Sequence, residues 1–584
     1  MSLVSDLTDL VSSAFEAEGL DRSFGEVVVS QRPDLGQFQC NGAMAAARNA
    51  GIPPRQVAER IVERIRSDSR LSRVSVAGPG FINLTVTDDY LAGWVARIAR
   101  GDDGLRVERP RRVLVDYGGP NVAKDLHVGH LRPAIIGESI KRIIRRLGHD
   151  VVGDVHLGDW GTPMGQLIAE LEDRFGDLPY FDPDYTGPYP DEPPVTLADL
   201  QELYPIAAKK AQTDPEFAER ARRATFELQA GRPGYRALWK HLREVSVRAF
   251  KEVYDLLGVE FELWLGESSV HDRIAPMVER LLASGVARHS QGAVVVDVAD
   301  EDEDLPPLIL VKSDGSYTYG TTDLATIEER VVDLGREDLI YVVDARQSLH
   351  FRQVFRAARR SGIAPTDVTL EHAVNGTVNG LDNKPLKTRE GGLPLLRDLL
   401  AEVIERAARR LDENDLAVGY PEEERAEIAR LVGVAAVKFG DLQNHRASNY
   451  VFDVERFTSF DGKTGPYLLY GAVRMRSILR NATERGFEPG PLLPPASDEE
   501  RRLMLTCVLL PEVLVRSAEL RAPNHLAEYT FGLVSDFSRF YEKCHILSEP
   551  DPDRRGAWLG LVEFTHRLLV ECLDLLGIRV PDRM

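Results

Sequence analysis

Cysteine is nearly missing from this chain: Cys40, Cys507, Cys544 and Cys572 are the 4 in 584 residues. No two stand as a CxxC pair, so a disulfide framework and a structural zinc site are both unexpected, and a reducing cytosol fits. No apolar run reaches about 18 residues, which excludes the usual sequence mark of a membrane helix. Basic residues are outnumbered, 72 Lys and Arg against 92 Asp and Glu, a net charge of -20. That balance argues against a nonspecific DNA or RNA coat, although a local basic face can still hold nucleic acid on an acidic protein. The opening MSLVSDLTDLVSSAFEAEG is acidic and helically periodic rather than basic and then compactly apolar, so a secretory signal is not expected. Repeats and low-complexity tracts are absent as well.

What is present is an ordinary globular composition, 43% hydrophobic and 28% charged, spread over a length that calls for about two to four domains. Residues 1–105 read as a small α+β unit, with amphipathic helices at Leu3 to Glu18 and Pro54 to Ser67. In it, GPGFINLTV alternates as a strand, with Ile82, Leu84 and Val86 on one side and Asn83 and Thr85 on the other. From Val113 the order changes to a buried strand (VLVDY), a helix from Leu131 to Leu147, and a second strand (DVVGDVHL). That is the start of a doubly wound parallel sheet, a Rossmann-like domain expected over 106–451. An insertion around 175–265 begins with the Pro-, Asp- and Gly-rich stretch Phe175 to Pro194, for which no function suggests itself. Strand patterns return in GAVVVDV, LPPLILVKS and DLIYVVD, with the acidic run Glu301 to Asp304 expected as a solvated tip. From 452 to 584 nearly every segment is helically periodic, which predicts an all-α bundle.

The stretch PNVAKDLHVGH sits between the first strand and its helix, where loops of parallel sheets border the ligand crevice. Helix starts there favour anions. Lys124 adds positive charge, and Gly129 between His127 and His130 lets a flat ring approach the backbone. Together these suit a phosphate and the charge that develops in phosphoryl or nucleotidyl transfer. The same HxxH spacing could hold zinc, but no third ligand stands at a suitable distance in sequence, and no metal site is expected. Two such histidines could also sit idle at a surface helix.

The wider stretch VDYGGPNVAKDLHVGHLRPAIIGESIKRIIRRLGHDV, followed by HLGDWGTPMGQLI, closely resembles the arginyl-tRNA synthetase family, whose class I HIGH signature often reads HVGH. SDGSYTYGTTDLA, YVVDARQSLHFRQVF, NKPLKTREGG, DGKTGPYLLYGAVRMRS and the final LLGIRVPDRM resemble it in the same order, so nearly the whole chain is covered. The resemblance implies ATP-dependent activation of L-arginine to arginyl-adenylate, with Mg2+ accompanying ATP, and transfer of the arginyl group to the cognate tRNA. It implies a cytoplasmic enzyme, expected as a monomer, with no DNA or membrane partner.

It also assigns residues. ATP falls to Lys124, His127, Gly129, His130 and Lys387, with Lys124, His127, His130 and Arg389 catalytic. The arginine head group falls to Gly119, Pro120, Asn121 and His130, and its side chain to Tyr319, Asp323 and Gln347. A carboxylate is a natural partner for a planar guanidinium, and Tyr319 and Asp323 share a face if their segment is helical. Asp323 as a helix cap and Tyr319 as core is the plainer alternative. The second signature departs from KMSKS: in PLKTREG, residues 385–391, Thr388 stands where the second lysine belongs. The resemblance then makes Lys124 the substitute and leaves the roles of Lys384 and Lys387 open. Residues 1–105 match the additional domain that touches the tRNA elbow. Tyr467, Tyr470, Arg474, Tyr541 and Met584 match the anticodon site, with Arg476 and Arg480 on one face to hold phosphates. From HxGH alone, another class I synthetase, a nucleotidylyltransferase or a non-catalytic tRNA-binding paralogue remains open.

Overall fold

The computed structural model describes residues 2–301, 303–387 and 393–584. Contacts divide the chain into two compact units, one of residues 108–459 with 576–579, the other of 1–107 with 460–575 and 580–584.

The first unit is built on a four-stranded parallel sheet. Its elements are β1 (Arg112–Tyr117), α1 (Leu131–Arg146), β2 (Asp150–Asp154), α2 (Leu197–Thr213), α3 (Pro233–Leu257), α4 (Tyr319–Glu328), β3 (Asp338–Val342), α5 (Ser348–Arg360), β4 (Thr369–His372) and α6 (Glu422–Leu442). The strand order is β4-β3-β1-β2, so the chain leaves β1 to one side for β2 and later returns on its other side as β3. That reversal opens a crevice at the carboxyl ends of β1 and β3. Both strands are covered on two faces, and for that reason they read as unbroken apolar runs. Leu114, Leu339 and Val354 are among the fully buried side chains of the core behind the crevice, each worth roughly 1.5–3 kcal/mol of burial.

The insertion carries α2 and α3 and a small core of its own, where Ala169, Ala207, Phe217 and Ala221 meet. A three-stranded antiparallel sheet follows, Ala287–Ser290, Ala293–Val296 and Leu308–Val311. The acidic loop before its last strand is not purely solvated, because Glu303 accepts from Arg356 and pairs with Arg352 at 3.4 Å.

In the other unit, Phe81–Val86 is a strand within an antiparallel sheet. The side that carries Asn83 is covered as well. Asn83 is buried and accepts a hydrogen bond from Gln39 Nε2 at 2.9 Å. The helices α7 (Gly465–Glu484) and α8 (Asn524–Lys543) belong to this unit too. Arg501, between them in sequence, donates to Asp88 and to the Val86 carbonyl, both at 2.6 Å, so the two ends of the chain share one body.

Candidate active site

The loop after β1 presents the two histidines. His127 precedes a short 3₁₀ turn, Val128–His130, that runs into α1. The Gly129 N–H donates to His127 Nδ1, and the His127 N–H donates to His130 Nδ1, each at 3.1 Å. Both Nδ1 atoms are therefore acceptors, which assigns the proton of each neutral ring to Nε2. Burial, with Lys124 as a lesser cause, lowers the pKa of His127. Burial first, then His127, pushes His130 down to about 3. Two neutral rings thus offer Nε2–H donors, tilted to each other with centroids 4.0 Å apart. The ring that approaches Gly129 belongs to His127 itself: a Cβ at 129 would lie 2.9 Å from His127 Nδ1.

Behind this turn, Arg132 on α1 is buried and paired with the equally buried Asp441 of α6 at 3.1 Å, its guanidinium facing the Tyr450 ring. The chain returning from the second signature lies against the first. Val128 N donates to the Pro394 carbonyl at 3.0 Å, and Leu396 N to the Leu126 carbonyl at 2.9 Å. Lys384, just before that signature, and Lys387, near its start, are exposed, while Thr388 and Arg389 lie outside the described residues.

Gly119, Pro120 and Asn121 form the rest of the β1 loop. Gly158 N donates to the Pro120 carbonyl and Val122 N to the Gly158 carbonyl, so the loop is laced to the segment after β2. Gly119 is pressed against that segment, where a Cβ would come within 2.7 Å of the His156 carbonyl.

Tyr319 and Asp323 lie one turn apart in α4, with Tyr319 largely exposed. Asp323 pairs with His350 Nε2 of α5. Gln347 is exposed in the turn after β3, at the start of α5. Gln347 thus belongs to the loop at the carboxyl end of β3, whereas Tyr319 and Asp323 stand on the first turns of the helix that precedes that strand.

Several groups here were not foreseen. Glu267, first residue of the short 3₁₀ turn Glu267–Val270, is pushed up to about 7, chiefly by burial, with His156 opposing and Asp159 and Asp323 adding like charge. Its charge also helps raise the Tyr319 phenol, after burial, and Tyr204 of α2 does the same. Tyr204 in turn lies under Lys124, whose Nζ is 4.5 Å from the ring centroid. Lys124 thus lies over Tyr204 and is felt by His127, while the charges of Tyr204 and Glu267 are felt at Tyr319 and that of Asp323 at Glu267. The only hint of Glu267 in the sequence is an acidic residue where a strand-like run meets a helix.

Asp116 and Asp154 are register partners on β1 and β2, and with His156 they bring donor atoms within 4.8 Å of one another. The space between the carboxylates is taken by the buried Arg330, which donates to Asp116 at 2.6 Å and Asp154 at 2.7 Å. Arg330 comes from a widened turn, Glu329–Asp333, that continues α4.

In the other unit, the Arg474 guanidinium lies 4.5 Å from the Tyr541 ring centroid, and Tyr467 packs on Phe531 at 5.8 Å. Tyr470 is 40% exposed, and Met584 is half-buried. Arg476 departs from the expectation of a free phosphate ligand: it donates to the Pro581 and Asp582 carbonyls and ties down the chain's end.

Comparison with known proteins gives the family. Residues 97–454 match the family model for the catalytic domain of class I (R) tRNA synthetases. Residues 468–584 match the DALR anticodon binding domain, and 3–86 the arginyl tRNA synthetase N terminal domain. The arginine–tRNA ligase of Maricaulis maris is 48% identical, and that of Alkaliphilus oremlandii 46%, each over 100% of both chains. The crystal structure of the Plasmodium falciparum arginyl-tRNA synthetase superposes with a TM-score of 0.82 at 25% identity, over 100% of this chain and 99% of that one. Matched end to end in sequence and by family model through its catalytic unit, the chain belongs to the arginyl-tRNA synthetases of class I.

Proposed function

We propose that the crevice at the carboxyl ends of β1 and β3 holds ATP and arginine side by side, and that the residues described there carry out the family's reaction. The chain ligates arginine to tRNA at the expense of ATP. The arginine carboxylate oxygen attacks the α-phosphorus, the bond to the β-phosphate oxygen breaks, and pyrophosphate leaves with its electron pair. A terminal ribose hydroxyl of the tRNA then takes the arginyl group, and AMP departs.

The observation that carries the residue assignment is the placing of Lys124 over Tyr204 beside the histidine pair, with the charges of Tyr204 and Glu267 felt at Tyr319 and that of Asp323 at Glu267. At one end, His127 and His130 offer Nε2–H donors and Lys124 a mobile cation, which suits phosphate oxygens that gain charge as pyrophosphate leaves. Lys387, and Arg389 beyond the described residues, are read as further contacts to the triphosphate. Gly129 is read as lining the ATP site. ATP enters with Mg2+ as part of the substrate. At the other end, Asp323 and Tyr319 are read as partners of the guanidinium, with Gln347 beside them. Gly119, Pro120, Asn121 and His130 are read as facing the arginine head group. The enzyme is read as a cytoplasmic monomer without DNA or membrane partners. We assign the anticodon to Tyr467, Tyr470, Arg474, Tyr541 and Met584 and the tRNA elbow to residues 1–105, because stacked aromatics with arginine suit unpaired bases.

Asp323→Asn tests the arginine side. A hydrogen bond to a charged group is worth about 1.5–3 kcal/mol, so KM for arginine rises by roughly 10–150-fold while KM for ATP stays put. Equal losses for both substrates would make Asp323 a structural residue.

Glu267 adds a second test. Its carboxyl, pushed up to about 7, is half protonated at neutral pH in the free protein. A guanidinium bound alongside favours the charged form and lowers that pKa. Arginine binding at pH 7 therefore releases close to half a proton, and affinity increases as pH goes from 6 to 8. Calorimetric heats in buffers of different ionisation enthalpy measure this release, and Glu267→Gln abolishes it. Heats independent of the buffer would remove Glu267 from the arginine pocket.

A further inference from the structure

We infer that Tyr204 is a positioning residue for Lys124, delivered into the crevice by the insertion between β2 and α4. The inference rests on the catalytic role proposed above for Lys124.

Lys124 sits in a loop that could not hold its shape alone. Ala123 before it has φ of 66°, a left-handed conformation costly for a residue with a Cβ. Two helices of the insertion hold this turn. The Ala123 N–H donates to Ser246 Oγ of α3 at 2.9 Å, and Gln201 Nε2 of α2 donates to Asp125 Oδ2 at 2.8 Å. Arg397 meets the same Asp125 oxygen at 3.3 Å. The residues on both sides of Lys124 are thus fixed, while its ammonium has no carboxylate partner among the described residues. Its contact is the face of Tyr204, one turn after Gln201 on the same helix.

The strength of that contact matters. A cation over an aromatic face gains about 0.5–2 kcal/mol depending on desolvation. This is enough to select one orientation of a four-carbon side chain and too little to compete with a triphosphate. A carboxylate in the same place would hold the ammonium harder and neutralise it. In this position Lys124 already helps lower the pKa of both His127 and His130, so the ring holds the ammonium beside the nucleotide groups. The insertion thereby gains a function: it sets where the lysine waits. Because the lysine is pre-aimed for a charge that grows during reaction, loss of the ring should show in kcat and not in ATP binding.

The experiment uses the full-length enzyme with tRNA present and measures arginine-dependent ATP–pyrophosphate exchange for Tyr204→Phe, Tyr204→Leu, Lys124→Ala and the double variant Tyr204→Leu/Lys124→Ala. Tyr204→Phe keeps the ring and stays within about twofold of the unaltered rate. Tyr204→Leu lowers kcat by roughly 2- to 30-fold, the span of a cation–π contact, with KM for ATP nearly unchanged. The double variant is no slower than Lys124→Ala alone. The inference is overturned if Tyr204→Phe is as slow as Tyr204→Leu, if Tyr204→Leu is unimpaired, or if its loss persists in full without Lys124, which would mark helix packing instead. A near-normal rate for Lys124→Ala alone would instead remove the lysine's catalytic role, and the inference with it.

Discussion

Lys124→Ala lowers arginine-dependent ATP–pyrophosphate exchange by roughly 10²–10³, the usual cost of removing one donor that meets charge only in the transition state. Three features put the loss there. The position of the second KMSKS lysine is Thr388, so that signature brings one cation fewer to the leaving pyrophosphate. The two histidines are neutral and offer hydrogen bonds without full charge. Lys124 is then the cation in the loop after β1 whose charge both rings feel. Its removal does not endanger the fold. Ala123 and Asp125 are anchored by Ser246 and Gln201, and the ammonium itself makes no ion pair among the described residues. The urea midpoint therefore stays where it is while kcat falls. A rate close to the unaltered one would move the work to Lys384 or Lys387, both exposed at the start of the second signature.

The parts of this site that depend on short stretches of chain were legible in the sequence, and the parts that depend on distant ones were not. The sequence VLVDY followed by a helical pattern and DVVGD reads as strand, helix and strand because parallel strands buried on both faces must be apolar throughout. Tyr319 and Asp323, four apart, share a helix face once α4 forms. Tyr204 could not be found this way, since its meeting with Lys124 depends on how the insertion folds back over β1. The burial of Asn83 is out of reach for a related reason: alternation separates two faces of a strand but does not say that both are covered, as they are at this residue. Arg476 and Arg480 do sit one turn apart, yet helical spacing says nothing of the C-terminal segment that Arg476 holds. The shared unit of the two chain ends is equally non-local, carried by contacts such as Arg501 to Asp88.

Arg330→Met destabilises the catalytic unit by about 3–5 kcal/mol at pH 7.5, the usual cost of removing one partner from a buried charge cluster. Asp116 and Asp154 stand opposite each other at the ends of adjacent strands, where like charges repel. Arg330, fully buried, bonds to both, and its guanidinium lies 5.2 Å from the centroid of the Tyr341 ring. Already with this partner in place, burial raises the Asp116 carboxyl above its ordinary range. Without it, two carboxylates share a dry site, and protonation is the cheapest relief. The sign follows from linkage. A carboxyl whose pKa is higher folded than unfolded binds its proton more readily in the native state, so stability returns as pH falls toward the unfolded value near 4. The deficit of the variant is therefore largest above pH 7 and shrinks by pH 5, whereas the deficit from losing a simple surface ion pair is the same at both values and shrinks only below about pH 4. Urea unfolding followed by loss of exchange activity, at pH 7.5 and pH 5, measures both numbers. A deficit that is small, or the same at both pH values, would mean that Met fills the volume of Arg330 and that the paired aspartates tolerate one another without it.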